Sequence, residues 1–468
     1  MIYQSTRGEA PELGFSDVVL AGLASDGGLY LPKTWPKVSE DELRAWRELG
    51  YADLATEVLL TFVGDELSRD DLQRMAHAAY ASFGHPTVAP LVQLEDRLWL
   101  MELFHGPTLA FKDFALQMLG QLFEHVLSER EEHRVIVGAT SGDTGSAAIE
   151  AVRGLPHVTL FMLHPRGRVS DVQRRQMTTV HDANIHNLSV DGDFDDCQAL
   201  VKSMFNDAAF RADMGLSAVN SINWARIAAQ VVYYFRAALT LGAPDRAVSF
   251  AVPSGNFGNV FAGWVAAQMG LPIDQLVVGS NHNDILARFL ASGDMVAETV
   301  MPSLSPSMDI QVSSNFERLL FEATGRDAQA VQAAMAAFAA NGAYSVDAGA
   351  KARIDALFTG GMLTDDQTLV EMKRLYDGGG YVIDPHSAIG VAAAREQRRS
   401  NTSPMVALAT AHAAKFPQAV SKACGFEAAL PAHAAHIMTA QERVEPVPAD
   451  LATVQAHIRE IVANGGHG

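Results

Sequence analysis

Residues 103–116 read LFHGPTLAFKDFAL and set Lys112 between Phe111, Asp113 and Phe114. The chain has eight lysines against 27 arginines, and Lys112 is the one lysine between Lys37 and Lys202. A lysine ordinarily solvates a surface helix. Among apolar neighbours its ammonium loses hydration and its pKa falls, and the neutral amine becomes a nucleophile that condenses with aldehydes.

Two glycine-rich stretches supply possible company for that amine. PSGNFGN, residues 253–259, follows the apolar run VSFAVP and precedes NVFAGWVAAQMG. Such a strand-to-helix turn aims successive amides into one concavity at a helix start, where an anion is favoured. Taken alone it is as readily an ordinary turn, and it has neither the GxGxxG of dinucleotide sites nor the GKS or GKT of a nucleotide loop. GATSGDTGSAA, residues 138–148, repeats the arrangement after HRVIVGAT. There Ser141, Thr144 and the loop amides suit a carboxylate, or simply cap the next helix. A nucleophilic amine, an anion cradle and a carboxylate loop together point to an aldehyde that carries a phosphate: pyridoxal phosphate.

The remaining polar groups offer less. His386 in DPHSAIG and His412 in ATAHAAKFP lack the spacing of a metal-binding HExxH and read as satisfied structural histidines, so no metal centre is expected. Cys197 and Cys424 are too few for a disulfide framework and stand in no CxxC, which suits a reducing cytoplasm.

These residues need a scaffold with loops at strand ends. The first 90 residues carry short helical patterns (SDVVLAGLAS, EDELRAWREL, YADLATEVLLTFV) around the turn-rich GGLYLPKTWP. Short β-like runs follow in HPTVAPLVQLEDRLWLMEL. Apolar strand-like runs then alternate with helical patterns from HRVIVGAT to LVVGSN, and MVALATAH is a late strand. Alternation of this kind predicts parallel sheets with helices on both faces and ligands at the carboxyl ends of the strands. The expected division is an N-terminal region 1–90, a lobe 91–235 bearing Lys112 and the carboxylate loop, a lobe 236–425 bearing the phosphate cradle, and a C-terminal extension 426–468. At 468 residues with 48% hydrophobic residues, more than one core is expected. The net charge of −19 disfavours nucleic acid and anionic membrane surfaces as partners, and an anionic substrate would need basic groups gathered locally. No uncharged apolar run approaches membrane-spanning length.

YQSTRG, SDGGLYLP, ELFHGPTLAFKDFALQ, GATSGDTGSAA, NSINWARIAAQ, PSGNFGN, DPHSAIG and LATAHAAKFP, spread in this order from residue 3 to residue 417, together resemble the threonine synthase family in its bacterial and fungal branch. The resemblance implies a fold-type-II pyridoxal phosphate enzyme, α/β and similar to tryptophan synthase β, with two open twisted, mostly parallel sheets flanked by helices and a mainly helical N-terminal region. It implies a lyase converting O-phospho-L-homoserine and water to L-threonine and phosphate. By position, Lys112 would be the Schiff-base lysine. Gly255, Asn256, Phe257, Gly258 and Asn259 would hold the cofactor phosphate, and Thr410 would face the pyridine nitrogen. Ser141 and Thr144 would grip the substrate carboxylate. Asn223 and Arg226 in NSINWAR, with Arg166 and Arg168 in HPRGRVS, are candidates for the leaving phosphate; a solvated or ion-paired helix residue is the equal alternative for Arg226. The family pattern has Pro after the His of LATAH, where this chain has Ala413, a change in turn rigidity. Two other readings share these motifs: a serine or threonine dehydratase-like lyase, which would lack STRG and SDGGLYLP, and a catalytically silent member, which would lack the lysine or an intact cradle.

Overall fold

The computed structural model describes residues 1–140, 142–167, 169–218 and 220–465. Among these, six strands form one sheet in the order Phe358–Met362, Ile273–Ser280, Val248–Pro253, Met405–Ala409, Leu98–Glu102, Leu91–Glu95. All neighbours are parallel except the last pair, a hairpin. Five strands form a second, wholly parallel sheet: Glu445–Pro448, Ile185–Asp191, Val158–Pro165, Arg134–Ala139, Leu216–Ser217. The central strands Val248–Pro253, Met405–Ala409 and Val158–Pro165 are buried throughout. Their near-continuous apolar runs are what a sheet covered by helices on both faces requires.

Sheet membership departs from the expected division at 91–235 and 236–425. Leu98–Glu102 pairs with Met405–Ala409, so residues 91–102 belong to the sheet of the cradle. Glu445–Pro448 pairs with Ile185–Asp191, so the C-terminal extension completes the other sheet. In each case the strand finds a free edge made by residues about 250 to 300 positions away.

The N-terminal region is helical, over Phe15–Ala21, Glu40–Trp46, Tyr51–Val63 and Arg69–Tyr80, with a small strand pair of Tyr3–Ser5 and Tyr30–Pro32. Tyr51, Tyr80, Phe83 and Tyr233 surround Phe114, with ring centroids 5.4, 6.3, 4.7 and 5.7 Å away. This aromatic nest seats the first turn of the long helix Lys112–Arg130. That helix then lies so close to Asp143–Val152 that a Cβ on Gly120 would stand 2.0 Å from the Ala151 carbonyl oxygen. Only glycine fits at that crossing. No helix among the described residues is long and apolar enough to cross a membrane.

Candidate active site

A cavity of about 400 Å³ opens where the carboxyl ends of the two sheets face each other, within the size range of small-molecule sites. Lys112, Thr140, Asp143 and Thr144, residues 253–259, Arg226, His386 and Thr410 line it.

Lys112 is the first residue of its helix, and its sequence neighbours point three ways. Phe111 lies beside the amine, with Nζ 5.1 Å from the ring centroid. Phe114 is turned into the aromatic nest and does not face the amine. Asp113 is buried and folds back on the preceding turn, its carboxylate accepting from Thr108 N at 2.9 Å and Thr108 Oγ1 at 2.5 Å. The nearest counter-charge to Lys112 is Asp143 Oδ2, 3.7 Å from Nζ. Burial pushes the amine's pKa below its ordinary 10.5; Asp143 pulls it back up, while Lys415 and Arg226 push it down again.

Asp143 begins the helix after the GATSGDTG loop. Its Oδ1 accepts from Lys415 Nζ and Gln173 Nε2, each at 2.8 Å. Burial opposes its charge, but Lys415 and Lys112 override that and hold it below the ordinary carboxylate value. Thr140 Oγ1 shapes the loop by accepting from Gly142 N at 3.1 Å and Gly145 N at 3.0 Å. Thr144 is exposed and lines the cavity, whereas Ser141 lies outside the described residues.

The cradle is built for an anion. Phe257, with φ of 62°, turns the chain into the helix Gly258–Gln268, whose first turn has no side-chain cap. A left-handed phenylalanine costs about 1–2 kcal/mol; edge-to-face contact of its ring with Phe316 and tilted contact with Phe358, centroids 5.0 and 5.6 Å away, help to hold it. The carbonyls turn outward: Gly255 O accepts from Ser313 Oγ at 2.7 Å and Asn256 O from Asn315 N at 3.0 Å. No described group accepts a hydrogen bond from the amides of Gly255, Asn256, Phe257, Gly258 or Asn259. A Cβ on Gly255 would meet Ser307 O at 3.1 Å. The Asn259 carboxamide oxygen accepts from Tyr233 and Tyr234, leaving its Nδ2 buried and without a partner.

Arg226 is 3% exposed, and its Nε and Nη1 have no partner. Burial lowers its pKa to about 10. An unpaired buried guanidinium facing a cavity is costly unless an anion joins it there. Asn223 does not join it: Nδ2 donates to Val19 O at 2.8 Å and Oδ1 accepts from Ala225 N at 2.9 Å, so it caps the helix Trp224–Thr240. Arg166 reaches Asp191 at 3.9 Å, half exposed and away from the cavity, and Arg168 lies outside the described residues.

Thr410 is tied to the lysine turn. Its carbonyl accepts from Phe111 N at 2.8 Å, and its own N–H donates to Ser387 Oγ at 2.9 Å. His386 is satisfied, with Nδ1 3.0 Å from Asp384 Oδ1 and Nε2 accepting from Ser307 N at 3.2 Å, yet it also walls the cavity. His412, whose Nδ1 accepts from Ala414 N at 3.2 Å, caps the turn Ala413–Lys415. Sequence reasoning missed Asp143, Lys415 and Gln173. The first two stand inside quoted motifs, but nothing in their spacing announces that residues 112, 143 and 415 converge.

The N-terminal motifs buttress this site from behind. Buried Arg318 donates to Tyr30 O at 2.8 and 3.0 Å, to Ile222 O at 2.7 Å and to Asn315 Oδ1, and Asn315 in turn holds Asn256 O. Thr6 and Arg7 bond Glu317 in the same helix. The residues present fit pyridoxal phosphate: an amine facing the cavity for its aldehyde, an open amide cradle for its phosphate and a hydroxyl residue for its ring.

Three family models match the chain: the threonine synthase N terminus over residues 2–80, the pyridoxal-phosphate dependent enzyme family over 84–357, and the threonine synthase C-terminal region over 387–458. A threonine synthase from Pseudomonas aeruginosa is 53% identical, the match covering 98% of each chain. A crystal structure of pyridoxal-phosphate-bound threonine synthase from Brucella melitensis superposes with a TM-score of 0.97 at 53% identity, over 98% of this chain and 99% of that one. The yeast threonine synthase structure gives 0.94 at 39% identity, over 99% of each.

Proposed function

The chain belongs to the threonine synthase family, and on that premise we propose that its cavity converts O-phospho-L-homoserine and water to L-threonine and phosphate, the last step of threonine biosynthesis. It is a pyridoxal-phosphate enzyme of fold type II. The observation that carries the reading of the site is the convergence on one cavity of Lys112, the open amides of residues 255–259 and the unpaired Arg226.

Lys112 Nζ would bond the cofactor's aldehyde carbon, the cradle amides would hold its phosphate, and Thr410 would face its ring nitrogen. Pyridoxal phosphate, when bound, supplies a covalent handle for amines and an electron sink for charge developing on the substrate carbons. Thr410 presents a neutral hydroxyl where a carboxylate would hold a proton on the ring, a choice that favours β- and γ-chemistry over transamination. Thr144 and its loop orient the substrate through its α-carboxylate. Arg226 balances the charge of the leaving phosphate, a site of concentrated positive charge in a chain of net charge −19.

Lys112 carries the protons. Freed as a neutral amine, Nζ takes one from the substrate α-carbon and passes it on, takes one from the β-carbon, delivers one to the γ-carbon after the phosphate has left, and restores the α-proton once water has added. In sum the bond from the γ-carbon to the phosphate oxygen breaks, the γ-carbon gains a proton, and the β-carbon exchanges a hydrogen for the hydroxyl of water. Pro306–Met308, held by the bond from Ser307 N to His386, form one wall of the cavity. The cytoplasm is the proposed setting, where reducing conditions suit the free thiols Cys197 and Cys424.

Turnover of O-phospho-L-homoserine by the holoenzyme in oxygen-18 water tests the proposal. Equal amounts of threonine and phosphate are expected, with the label in the threonine hydroxyl and none in the phosphate. Labelled phosphate would indicate ester hydrolysis, and 2-oxobutyrate with ammonia would indicate a dehydratase; either result overturns it.

A further inference from the structure

Lys415 lies in the turn Ala413–Lys415 after the strand that leads to Thr410, and its side chain is fully buried. Two acceptors hold its Nζ, Asp143 Oδ1 at 2.8 Å and the Thr108 carbonyl at 2.6 Å. Lys112 is held far less closely, with Asp143 Oδ2 at 3.7 Å and the Phe111 ring beside it. Two lysines, Lys415 fully buried and Lys112 12% exposed, therefore share one carboxylate, and of the two only Lys415 bonds it closely.

The other charged groups around Lys112 do not change that contest. Arg226, on the helix Trp224–Thr240, adds positive charge without a partner. Asp113, on the helix of Lys112 itself, is engaged by Thr108. His386, across the cavity, is engaged by Asp384 and Ser307. With a second ammonium on Asp143, an ammonium at Lys112 would leave the buried cluster with excess positive charge.

We propose that Lys415 is a positioning residue for the proton on Lys112: by occupying Asp143 from the far side, it stops that carboxylate from locking Lys112 Nζ in its protonated form. Thr108, bonded to both Lys415 and Asp113, holds the arrangement to the turn before the lysine. This rests on the assignment of Lys112 as the cofactor lysine, and it concerns a residue that the sequence reading left without a role.

The test is a spectroscopic pH titration of the visible band of the bound cofactor in the holoenzyme, alongside the pH profile of kcat. Lys415→Gln removes a like charge and leaves Asp143 with Lys112 as its one remaining lysine partner, so the midpoint for the proton on Lys112 Nζ moves up by about one unit. The acidic limb of kcat moves with it. Lys415→Arg keeps the charge and leaves the midpoint near its wild-type position. Asp143→Asn moves it the opposite way, down. An unchanged midpoint in both Lys415→Gln and Asp143→Asn overturns the proposal. Failure of both variants to fold beside a folded Lys415→Arg makes the pair structural and overturns it equally. A wild-type holoenzyme with no band dependent on Lys112 would instead refute the cofactor-lysine assignment, a different outcome from an unmoved midpoint.

Discussion

At the scale of single residues, the site turns on how few charges it contains and where each is paired. On the proposed assignment, Lys112→Ala removes both the covalent attachment and the proton carrier. Turnover is expected to fall at least about 10³-fold, with loss of the visible band on the purified protein; an intact band would contradict the assignment. Arg226 is buried with free donors, so Arg226→Gln removes a charged hydrogen bond worth about 1.5–3 kcal/mol. Steady-state kinetics should show KM for O-phospho-L-homoserine raised roughly 10- to 100-fold with the cofactor band unchanged; an unchanged KM with weakened cofactor binding would move Arg226 to the cofactor's phosphate. Lys112 and the glycine turn could be singled out as cavity residues because each stands out within a short stretch, a lone lysine and a glycine-rich loop. Asn223 was misread because the same carboxamide serves as helix cap or ligand, and only the neighbouring Val19 carbonyl and Ala225 amide decide which. Asp143 and Lys415 were invisible as partners because their pairing is tertiary.

At the scale of elements, two close approaches set the lysine. The helix Lys112–Arg130 must touch Asp143–Val152 through Gly120, whose absent side chain brings the start of one helix beside the start of the other. Gly120→Ala should lower stability by about 1–3 kcal/mol, the usual effect of overpacking, and weaken cofactor binding; chemical denaturation checks it, and wild-type stability would contradict it. Asp113 fastens the turn before the helix. Burial raises its pKa to about 6, so the folded chain binds this proton more tightly than the unfolded chain with its ordinary value of 3.8. The stabilisation is complete below pH 3.8 and is lost as pH rises through about 6. Urea denaturation should therefore find that wild type loses about 1 kcal/mol between pH 5 and pH 7 relative to Asp113→Asn; parallel pH curves for the two proteins would contradict it. The alternation of strand and helix was legible from period and composition. Which sheet a strand joins was not, because Leu98–Glu102 and Glu445–Pro448 pair with strands far away in sequence.

At the scale of the whole molecule, the two sheets hold opposite sides of one cavity, and the chain's ends brace them. The N-terminal motifs reach the cradle through Arg318 and Asn315. The C-terminal segment closes the edge of the second sheet, and Glu442 pairs with Arg174 and Arg175 in the helix that also supplies Gln173 to Asp143. Truncation after residue 425 should expose the edge strand Ile185–Asp191 and make residues 134–217 cut first in limited proteolysis, while the cradle sheet resists longer; uniform resistance would contradict it.

Lys415 is buried and Lys112 nearly so, both beside one carboxylate at the cavity, so the most direct test is to find which one the cofactor holds. Borohydride reduction of the holoenzyme followed by peptide mapping should place the pyridoxyl group on Lys112. Finding it on Lys415, or on any other lysine, would contradict the assignment from which the rest of the chemistry follows.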